Sequence, residues 1–382
     1  MTLEGKRVLI DATGASIGGG YTYLVNVMPR LCAMAPGAQF TLMLRNPRLI
    51  EVLTPIAERE TNFDLEALPE TGVAGRMLHT FFAMPKIAAR LGADVFFSVG
   101  EVAPWKVPCA SIASFRNANV FTREVAPPDL RDRIRFVVLN AIARLAAKRC
   151  DRIMFVSHDS ARWIGESIGL AEARRAVIHH GIDVDDWSSA EPMGDHPRPY
   201  VLSVSSIYHY KNFVRLIEAW AQVARRCGVD DMPDLVIIGD DYDRPYREEM
   251  ERARDEAGEL RERIHILGGM PYEEVKSWYR GTRLFVFPSY LETFGHPLLE
   301  AMAAGVPLVA SGIDSFREVA GDAALYAAYD DVDGLANAIE QALEPDTAAD
   351  LIDRGRARLA AFSWDASVRS LLALFEDVAS KR

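Results

Sequence analysis

The sequence has few cysteines, and they lie far apart. The 382 residues include four, Cys32, Cys109, Cys150 and Cys227, all in apolar or helical surroundings. The sequence has neither a close cysteine pair for a metal nor the cysteine density of a secreted disulfide scaffold, so we expect reduced, structural thiols. The eight histidines include no H-E-x-x-H or similar ligand spacing, which argues against a zinc site of that kind.

Long apolar runs and an excess of positive charge are also missing. The amino terminus, MTLEGKRVLIDATG, enters a strand-like segment directly, and no run reaches the apolar length of a membrane span. We therefore expect a cytoplasmic protein. A net charge of −11 argues against general nucleic-acid binding. Because the negative charge is concentrated in the carboxyl-terminal half, the amino-terminal half is the one suited to an anionic surface or acceptor.

Length and periodicity predict two α/β domains. A chain of 382 residues is too long for one average core, and its 49% hydrophobic content is typical of globular proteins. Short β-rich segments alternate with helical patterns, which predicts parallel βαβ units in doubly wound, Rossmann-like sheets facing a central cleft. We place the domains at residues 1–186 and 199–363, a polar linker at 187–198 and a terminal helix within 364–382. The predicted strands are KRVLIDAT, QFTLML, ADVFFSV, DRIMFVS and AVIHHGI before the linker, and YVLSVSS, DLVIIGD, RIHILGG, RLFVFPS and VPLVAS after it.

A helix start is predicted within residues 290–311, which read YLETFGHPLLEAMAAGVPLVAS. Pro297 suits the first helical position, the residues that follow are strong helix formers, and Gly305 suits the position just past the end. Ahead of the helix, Thr293, Phe294, Gly295 and His296 form a tight entry, in which Gly295 can let a ligand close to the backbone. The unpaired backbone N–H groups there make a ready site for phosphate.

Two carboxylates, Glu292 and Glu300, flank this predicted phosphate site. They would repel a phosphate unless they bound another part of the same ligand. A nucleotide sugar offers a diphosphate to the helix start and hydroxyl pairs to the carboxylates, each of which can accept two charge-assisted hydrogen bonds. In this interpretation Glu300 binds the ribose and Glu292 the transferred sugar. The alternative is a favourable charge in a first helical turn and a surface loop residue.

This segment resembles the signature of the large retaining glycosyltransferase family 4. The resemblance rests on two glutamates with seven residues between them, the intervening T-F-G-H-P and the following L-L-E-A-M-A-A-G-V-P-L-V-A-S. It extends to SIGGGYTYLV, FVSHDSARWI, VIHHGID, SSIYHYKNFVRLIEAW and SWYRGTRLFVFPS. The resemblance implies the GT-B fold, with the donor held mostly by the second domain and the acceptor by the first. It also implies that the final helix packs back on the amino-terminal domain.

The resemblance assigns further donor contacts to the second domain. Lys211, in the loop SVSSIYHYKN, would stabilise the leaving diphosphate. The arginine that the family often adds to this loop is absent, but the hydroxyls of Ser205 and Ser206 can donate to phosphate. Met270 follows another strand, where the family usually holds the base. A solvated helix-start lysine and a buried loop methionine are the structural alternatives.

Two features of the first domain remain open. Gly18, Gly19 and Gly20 reduce steric bulk where a diphosphate or sugar approaches a helix start, although a flexible turn explains them equally well. They do not form GxGxxG, which removes the main support for an oxidoreductase. Arg116 and Asn117 stand where many family members have His-Asp. Arg116 stays protonated and cannot be a general base, but it can bind an acceptor phosphate or the transferred sugar; a structural salt bridge is the alternative.

Two segments bear on metal and membrane binding. The run GDDYD, Asp240 to Asp243, looks like the metal motif of the other major glycosyltransferase fold. Since Lys211 already supplies the positive charge, we expect no metal cofactor. The basic stretch DLRDRIRFVVLNAIARLAAKRC can contact an anionic membrane, but its apolar and basic positions interleave, which favours a core helix with basic flanks.

The resemblance implies retaining transfer of a hexose from a nucleotide diphosphate sugar to a hydroxyl of a glycan or polyprenyl-linked oligosaccharide. GDP-mannose is favoured over UDP-glucose, and cell-envelope polysaccharide or lipopolysaccharide synthesis is the expected setting. Glu292, Lys211 and Arg116 are the expected catalytic residues. We expect a cytoplasmic enzyme. A peripheral contact of its amino-terminal domain with the inner face of the membrane remains an open alternative. A catalytically weak GT-B scaffold and a nucleotide-sugar-binding protein remain the alternatives.

Overall fold

A computed structural model describes residues 3–15, 19–122, 130–194, 196–228 and 230–381. The chain divides into two compact units, Met1–Gly181 with Trp364–Arg382, and Ile182–Ser363. The predicted linker, residues 187–198, falls within the second unit. Trp187 is 1% exposed there, with its indole packed edge-to-face on Tyr272 and Tyr279. Burial of this indole explains why the segment belongs to a folded unit.

The described residues of the first unit form a seven-stranded parallel sheet. Its order is β3-β2-β1-β4-β5-β6-β7. The strands are β1 (Arg7–Asp11), β2 (Gln39–Leu44), β3 (Phe63–Ala67), β4 (Val95–Ser98), β5 (Ala110–Phe115), β6 (Arg152–Phe155) and β7 (Arg175–Val177). The helices are α1 (Gly19–Met34), α2 (Pro47–Arg59), α3 (Val73–Leu78), α4 (Met84–Leu91), α5 (Leu130–Arg149), α6 (His158–Ser167) and, at the carboxyl terminus, α15 (Trp364–Ser380). A π-helical turn, His79–Ala83, separates α3 from α4.

Both faces of this sheet are buried, as in other parallel sheets covered by helices. Along β1, Val8 and Ile10 belong to one apolar cluster and Leu9 to another, because successive side chains point to opposite faces. The helix α15 packs in the first of these clusters, where Phe375 contacts Phe97 edge-to-face at 5.5 Å between ring centroids. An ion pair of 3.0 Å from Arg152 to Asp377 also ties α15 to this unit.

The second unit has a six-stranded parallel sheet in the order β10-β9-β8-β11-β12-β13 among the residues described. Its strands are β8 (Tyr200–Val204), β9 (Asp234–Ile238), β10 (Ile264–Leu267), β11 (Leu284–Phe287), β12 (Leu308–Ser311) and β13 (Leu325–Ala327). Its helices are α7 (Val184–Ser188), α8 (Phe213–Cys227), α9 (Arg244–Glu256), α10 (Tyr272–Gly281), α11 (His296–Ala304), α12 (Asp314–Ala320), α13 (Val332–Leu343) and α14 (Pro345–Leu359).

The two strand orders confirm the predicted fold class of two Rossmann-like, doubly wound parallel sheets. In each sheet the direction of winding reverses once, between β1 and β4 in the first unit and between β8 and β11 in the second. Open α/β sheets bind ligands in the crevice outside the carboxyl ends of the strands at such a reversal. The loops that follow β8 and β11 are therefore the first place to look for a ligand site in the second unit.

The helix α5 differs from the predicted core helix. Ala143, Ala146 and Ala147 in its second half are buried, and Phe136 and Leu139 are half-buried against the same apolar cluster. In contrast, Ile134 is 57% exposed and Val137 71% exposed. One side of the helix therefore packs on the core, while Ile134 and Val137 lie in solvent. Among the described helices, none is both long and apolar enough to span a membrane.

Candidate functional site

The loops after β8 and β11 are joined by direct hydrogen bonds. The backbone N–H of Tyr290 donates to the Tyr210 carbonyl at 3.0 Å, and the Ser289 hydroxyl donates to the same carbonyl at 3.1 Å. The Asn212 side chain donates to the Pro288 carbonyl at 3.1 Å. Because these two strands are neighbours at the winding reversal, residues far apart in sequence meet here at the carboxyl edge of the sheet.

Lys211 and Glu292 form an ion pair between these two loops. Their side chains are 10% and 18% exposed, and Glu292 Oε1 lies 3.3 Å from the Ser289 hydroxyl as an alternative acceptor to the Tyr210 carbonyl. Burial is the largest single influence on the pKa of the Lys211 ammonium and lowers it, but the charge of Glu292, the hydrogen bond to Glu292 and the nearby Tyr210 together outweigh burial and raise it. The second unit thus holds a protonated lysine and a carboxylate side by side at its ligand edge.

Glu300 lies on α11 and is 8% exposed. Its Oε1 accepts hydrogen bonds from the Tyr272 hydroxyl at 2.9 Å and His296 Nδ1 at 3.1 Å. Its Oε2 accepts from the Tyr279 hydroxyl at 3.1 Å. Burial and the charge of Glu300 raise the pKa of Tyr279 well above its usual value, so this hydroxyl remains a donor. These bonds compensate the burial of the carboxylate.

Sequence reasoning did not predict the two tyrosines that hold Glu300. Tyr272 and Tyr279 are seven residues apart on α10, a spacing that places both on one face of the helix. That spacing indicates that the two tyrosines can contact the same residue, but it does not identify that residue. Trp187 packs against both rings, so the short helix α7 fixes their orientation.

The turn before α11 ends one residue earlier than predicted. The helix begins at His296, which was expected in the entry, instead of Pro297, and Gly295 caps it with φ at +88°. A Cβ on Gly295 would lie 2.6 Å from the Phe316 ring, so both the backbone conformation and the space require glycine. Thr293 and Phe294 are buried, at 7% and 4% exposure. The turn is therefore a rigid support for the backbone N–H groups at the start of α11.

Glycines allow the neighbouring loops to pack closely on the same edge. A Cβ on Gly239 would lie 1.8 Å from the Ser205 carbonyl oxygen, and the Ile207 N–H donates to the Asp240 carbonyl at 2.8 Å. This packing fixes the backbone that carries Ser205 and Ser206, whose side chains are half-buried. Met270, also half-buried, lies in the loop that follows β10.

The run Asp240 to Asp243 serves the fold at least in part. The Asp243 side chain caps α9 by accepting a 3.3 Å hydrogen bond from the Tyr246 N–H. Another group of potential metal ligands, His196, Asp234 and His265, lies elsewhere in the second unit. Since Asp234 already pairs with Arg263 and, at 3.4 Å, with Arg198, we assign no cation to that group.

In the first unit, Gly19 and Gly20 form the first two residues of α1, whereas Gly18 lies outside the described residues. A Cβ on Gly19 would meet no described atom within 4 Å, and one on Gly20 would meet Ala15 at 3.6 Å. The described part of the chain therefore does not require glycine at these positions for packing. Room for a ligand and a flexible turn both remain as explanations.

Arg116 lies at the carboxyl end of β5 in the first unit. Its guanidinium lies 3.6 Å from the centroid of the Tyr23 ring, and its Nε donates to the Ser114 hydroxyl at 2.7 Å. Burial lowers the pKa of Arg116, while Tyr23 and Glu101 act in the opposite direction. Glu101 Oε1 accepts the backbone N–H groups of Arg116 and Asn117 at 2.9 and 2.7 Å. Glu101, which the sequence did not single out, therefore fixes this loop.

Comparison with known proteins gives matches along nearly the whole chain. The family model described as "Glycosyltransferase Family 4" matches residues 17–186, and the model described as "Glycosyl transferases group 1" matches residues 188–358. O-antigen chain mannosyltransferase B of Escherichia coli is 44% identical over 103 residues, 27% of this chain and 27% of that protein. An O-antigen chain mannosyltransferase of Salmonella typhimurium is 25% identical over 234 residues, 60% of this chain and 62% of that protein. In both cases the match spans less than two thirds of the relative's length.

Solved structures share the fold over almost all of both chains. A sucrose-phosphate synthase from Thermosynechococcus elongatus gives a TM-score of 0.76 at 18% identity, covering 99% of this chain and all of that one. HepE of Anabaena, solved with UDP and glucose, gives 0.73 at 16% identity, covering 97% and 100%. At these identities the likeness concerns the fold alone. Together with the two family models, it shows that the chain belongs to glycosyltransferase family 4 and has the GT-B fold.

Proposed function

We propose that the protein is a retaining hexosyltransferase that transfers a hexose from a nucleotide diphosphate sugar to a hydroxyl of a glycan or polyprenyl-linked acceptor. The observation that carries the proposal is the Lys211–Glu292 pair at the winding reversal of the second sheet. A single ligand that bears a diphosphate next to a hexose satisfies both partners of this pair. The diphosphate binds the ammonium, and the sugar hydroxyls bind the carboxylate.

The remaining donor contacts follow from the same edge of the sheet. The backbone N–H groups at Thr293 to Gly295 and the start of α11 face the diphosphate, with the hydroxyls of Ser205 and Ser206 as further donors. Glu300 accepts hydrogen bonds from the ribose hydroxyls. Each carboxylate oxygen can accept two hydrogen bonds. Oε2 accepts one and can take a ribose hydroxyl as a second donor, whereas a ribose hydroxyl at Oε1 would replace Tyr272 or His296. Met270 contacts the base.

The reaction proceeds by departure and attack on the same face of the sugar. The bond from the anomeric carbon to the diphosphate oxygen breaks while the acceptor oxygen bonds to that carbon, and the acceptor proton passes to the departing diphosphate. Lys211 stabilises the charge that develops on the diphosphate without a metal ion. Glu292 orients the transferred sugar. Arg116, already held against Tyr23, positions the acceptor or the transferred sugar and does not act as a base.

The named relatives support mannose as the sugar and an envelope glycan as the product. Two O-antigen chain mannosyltransferases and a phosphatidyl-myo-inositol mannosyltransferase of Mycolicibacterium smegmatis are among them. We infer a GDP-mannose donor, with UDP-glucose as the second choice, and a role in lipopolysaccharide or related polysaccharide synthesis in the cytoplasm.

The exposed part of α5 supports peripheral contact with the inner face of the membrane. Ile134, Val137 and Val138 are 57%, 71% and 49% exposed, and the exposed Arg133 and Arg135 lie beside them. Apolar side chains that enter the headgroup region next to arginines favour an anionic lipid surface. This contact would bring the first unit to a lipid-linked acceptor.

A catalytically weak GT-B scaffold is the second candidate. The observation that favours it is the Arg116-Asn117 pair in place of His-Asp, because Arg116 is packed on the protein's own Tyr23 and Ser114. Such a scaffold would bind the nucleotide sugar without turning it over.

A thermal-shift panel with UDP, GDP, ADP and their sugar conjugates, in EDTA, tests the nucleotide site. A ligand that binds only the native state raises the melting temperature. The proposal predicts a shift with GDP and GDP-mannose that Lys211→Ala abolishes, and that Arg247→Ala, which removes a half-buried pair with Glu251 on α9, leaves unchanged. The absence of a shift with every nucleotide would contradict it.

A further inference from the structure

The carboxyl edge of the first sheet carries a separate group of buried charged side chains. Asp11 ends β1 and Arg45 follows β2, and the two are 5% and 7% exposed. Asp11 pairs in register with Met43, two residues before Arg45, and the Ala12 N–H donates to the Met43 carbonyl at 3.1 Å. The two charges therefore lie side by side at the edge where doubly wound sheets bind ligands.

The hydrogen bonds of this group are incomplete. Asp11 Oδ1 accepts from the backbone N–H and the hydroxyl of Thr13, at 3.0 and 2.7 Å, and one terminal nitrogen of Arg45 donates to the Pro69 carbonyl. Arg45 Nε and His79 Nε2 are buried and have no hydrogen-bond partner among the described residues. Buried polar atoms without partners are rare and destabilise the fold, and a bound ligand is one explanation for keeping them.

The charge balance of the group favours an anion. Arg45 and His79 act electrostatically on each other and on Asp11, and Arg76 is close enough to lower the pKa of Arg45. Burial raises the pKa of Asp11, which weakens the negative charge that Arg45 faces. A ligand with negative charge would restore the balance and supply an acceptor for the Arg45 Nε–H group and, in the Nε2–H tautomer, for His79 as well.

The backbone at His79 forms a π-helical turn, which is consistent with a binding role. His79 begins the π-helical turn between α3 and α4, and its N–H donates to the carbonyls of Arg76 and Gly75. π-helical turns are uncommon and frequently occur at functional sites. Here the turn directs His79 toward Arg45 and Asp11 at the edge of the sheet.

We propose that Arg45 and His79 form a binding site for a phosphate group of the acceptor, with Arg76 adding positive charge. The proposal rests on the proposed function, in which the first unit binds the acceptor. A planar guanidinium and an imidazole supply donors in different directions, which suits the several oxygens of a phosphate. The phosphate can belong to a soluble sugar phosphate or to the head of a polyprenyl-linked acceptor.

Isothermal titration of the full-length protein with glucose 6-phosphate, and cosedimentation with phosphatidylcholine vesicles with and without undecaprenyl phosphate, test the proposal. In whichever arm the wild type binds, Arg45→Gln should weaken binding by about tenfold or more, because a charge-assisted contact is lost. Arg48→Gln is the matched control. Arg48 is exposed on α2, over the Tyr21 ring, and its loss should leave binding unchanged.

The outcome in each arm identifies the source of the phosphate. Arg45-dependent binding of glucose 6-phosphate supports a soluble acceptor, and Arg45-dependent binding only to vesicles with undecaprenyl phosphate supports a lipid-linked one. Equal losses in Arg45→Gln and Arg48→Gln, or no binding in either arm, would overturn the proposal. If Arg45→Gln does not fold, His79→Gln decides the question, and it should weaken binding by about threefold or more.

GDP binding by every variant separates this proposal from the proposed function. Lys211, Glu292 and Glu300 belong to the second unit, so GDP affinity should be the same in Arg45→Gln and in the wild type. A protein that binds GDP but no phosphate at Arg45 retains the proposed function and loses only this inference. A protein that binds phosphate at Arg45 but no nucleotide loses the proposed function instead.

Discussion

Replacing Glu292 with Gln should separate nucleotide binding from turnover. In the structure the Glu292 carboxylate pairs with Lys211, so the ammonium is partly neutralised before any ligand arrives. A diphosphate must compete with Glu292 for Lys211 and must also approach a like charge. Glutamine keeps the size and the hydrogen-bonding oxygen of the side chain but removes both effects. The variant should therefore bind GDP more tightly while it transfers sugar more slowly.

The size of the effect follows from the partial burial of the pair. Two unit charges about 4 Å apart interact by about 4 kcal/mol at an effective dielectric constant of about 20. Most of this attraction is offset by the cost of keeping the Lys211 ammonium away from water. We therefore expect GDP binding to become more favourable by about 1 to 2 kcal/mol, which is about five- to thirtyfold in GDP affinity. Turnover of the donor sugar should fall by about tenfold or more, since Glu292 no longer orients the sugar as a charged acceptor.

Calorimetric titration with GDP and a GDP-release assay measure the two quantities on the same protein. Glu251→Gln, which breaks a more exposed pair with Arg247 on α9, should change neither. Without the charge of Glu292, burial outweighs the remaining influence of Tyr210 and lowers the pKa of Lys211, so the gain in GDP affinity should shrink between pH 7 and pH 9. Weaker or unchanged GDP binding in Glu292→Gln at pH 7 would refute the role of Lys211 in binding the diphosphate.

Three further substitutions test other parts of the account. Glu300→Gln should reduce the preference for GDP over 2′-deoxy-GDP by about fivefold or more in a competition titration, and an unchanged preference would contradict ribose binding. Gly239→Ala should lower the free energy of unfolding by about 2 kcal/mol or more in a urea titration, because its Cβ would clash with the β8 loop, whereas Gly268→Ala, with no described atom within 4 Å, should not. Val137→Glu should reduce cosedimentation with anionic vesicles more than Val184→Glu does, and equal losses would contradict the α5 contact.

The core strands and the helix α11 could be predicted because their sequence signals are local. A continuous apolar run identifies a strand buried on both faces, as in β2, β9 and β11. Glycine, proline and a helical run identify the start and end of α11. The missed strands lack such signals. In β3 the charged residues Asp64 and Glu66 interrupt an edge strand, β13 has three residues, and β5 consists largely of small side chains.

The contacts within the candidate site could not be predicted because they depend on strand order. Lys211 and Glu292 are 81 residues apart and meet because β8 lies beside β11, an adjacency that periodicity does not reveal. The same holds for Tyr279 and Glu300, which lie on different helices. The polar residues at 187–198 gave no indication that Trp187 is buried. In α5, helical spacing gave no indication that Val137 is exposed.

The most direct test of the central claim is to follow GDP-mannose by phosphorus NMR in the presence of EDTA and a polyprenyl-linked glycan acceptor. The account predicts acceptor-dependent release of GDP by the wild type and a large loss of the rate in Lys211→Ala, with an α-configured product. Tight binding of GDP-mannose without release of GDP from it, and without release of UDP from UDP-glucose, would contradict an enzymatic role and leave the scaffold as the better description.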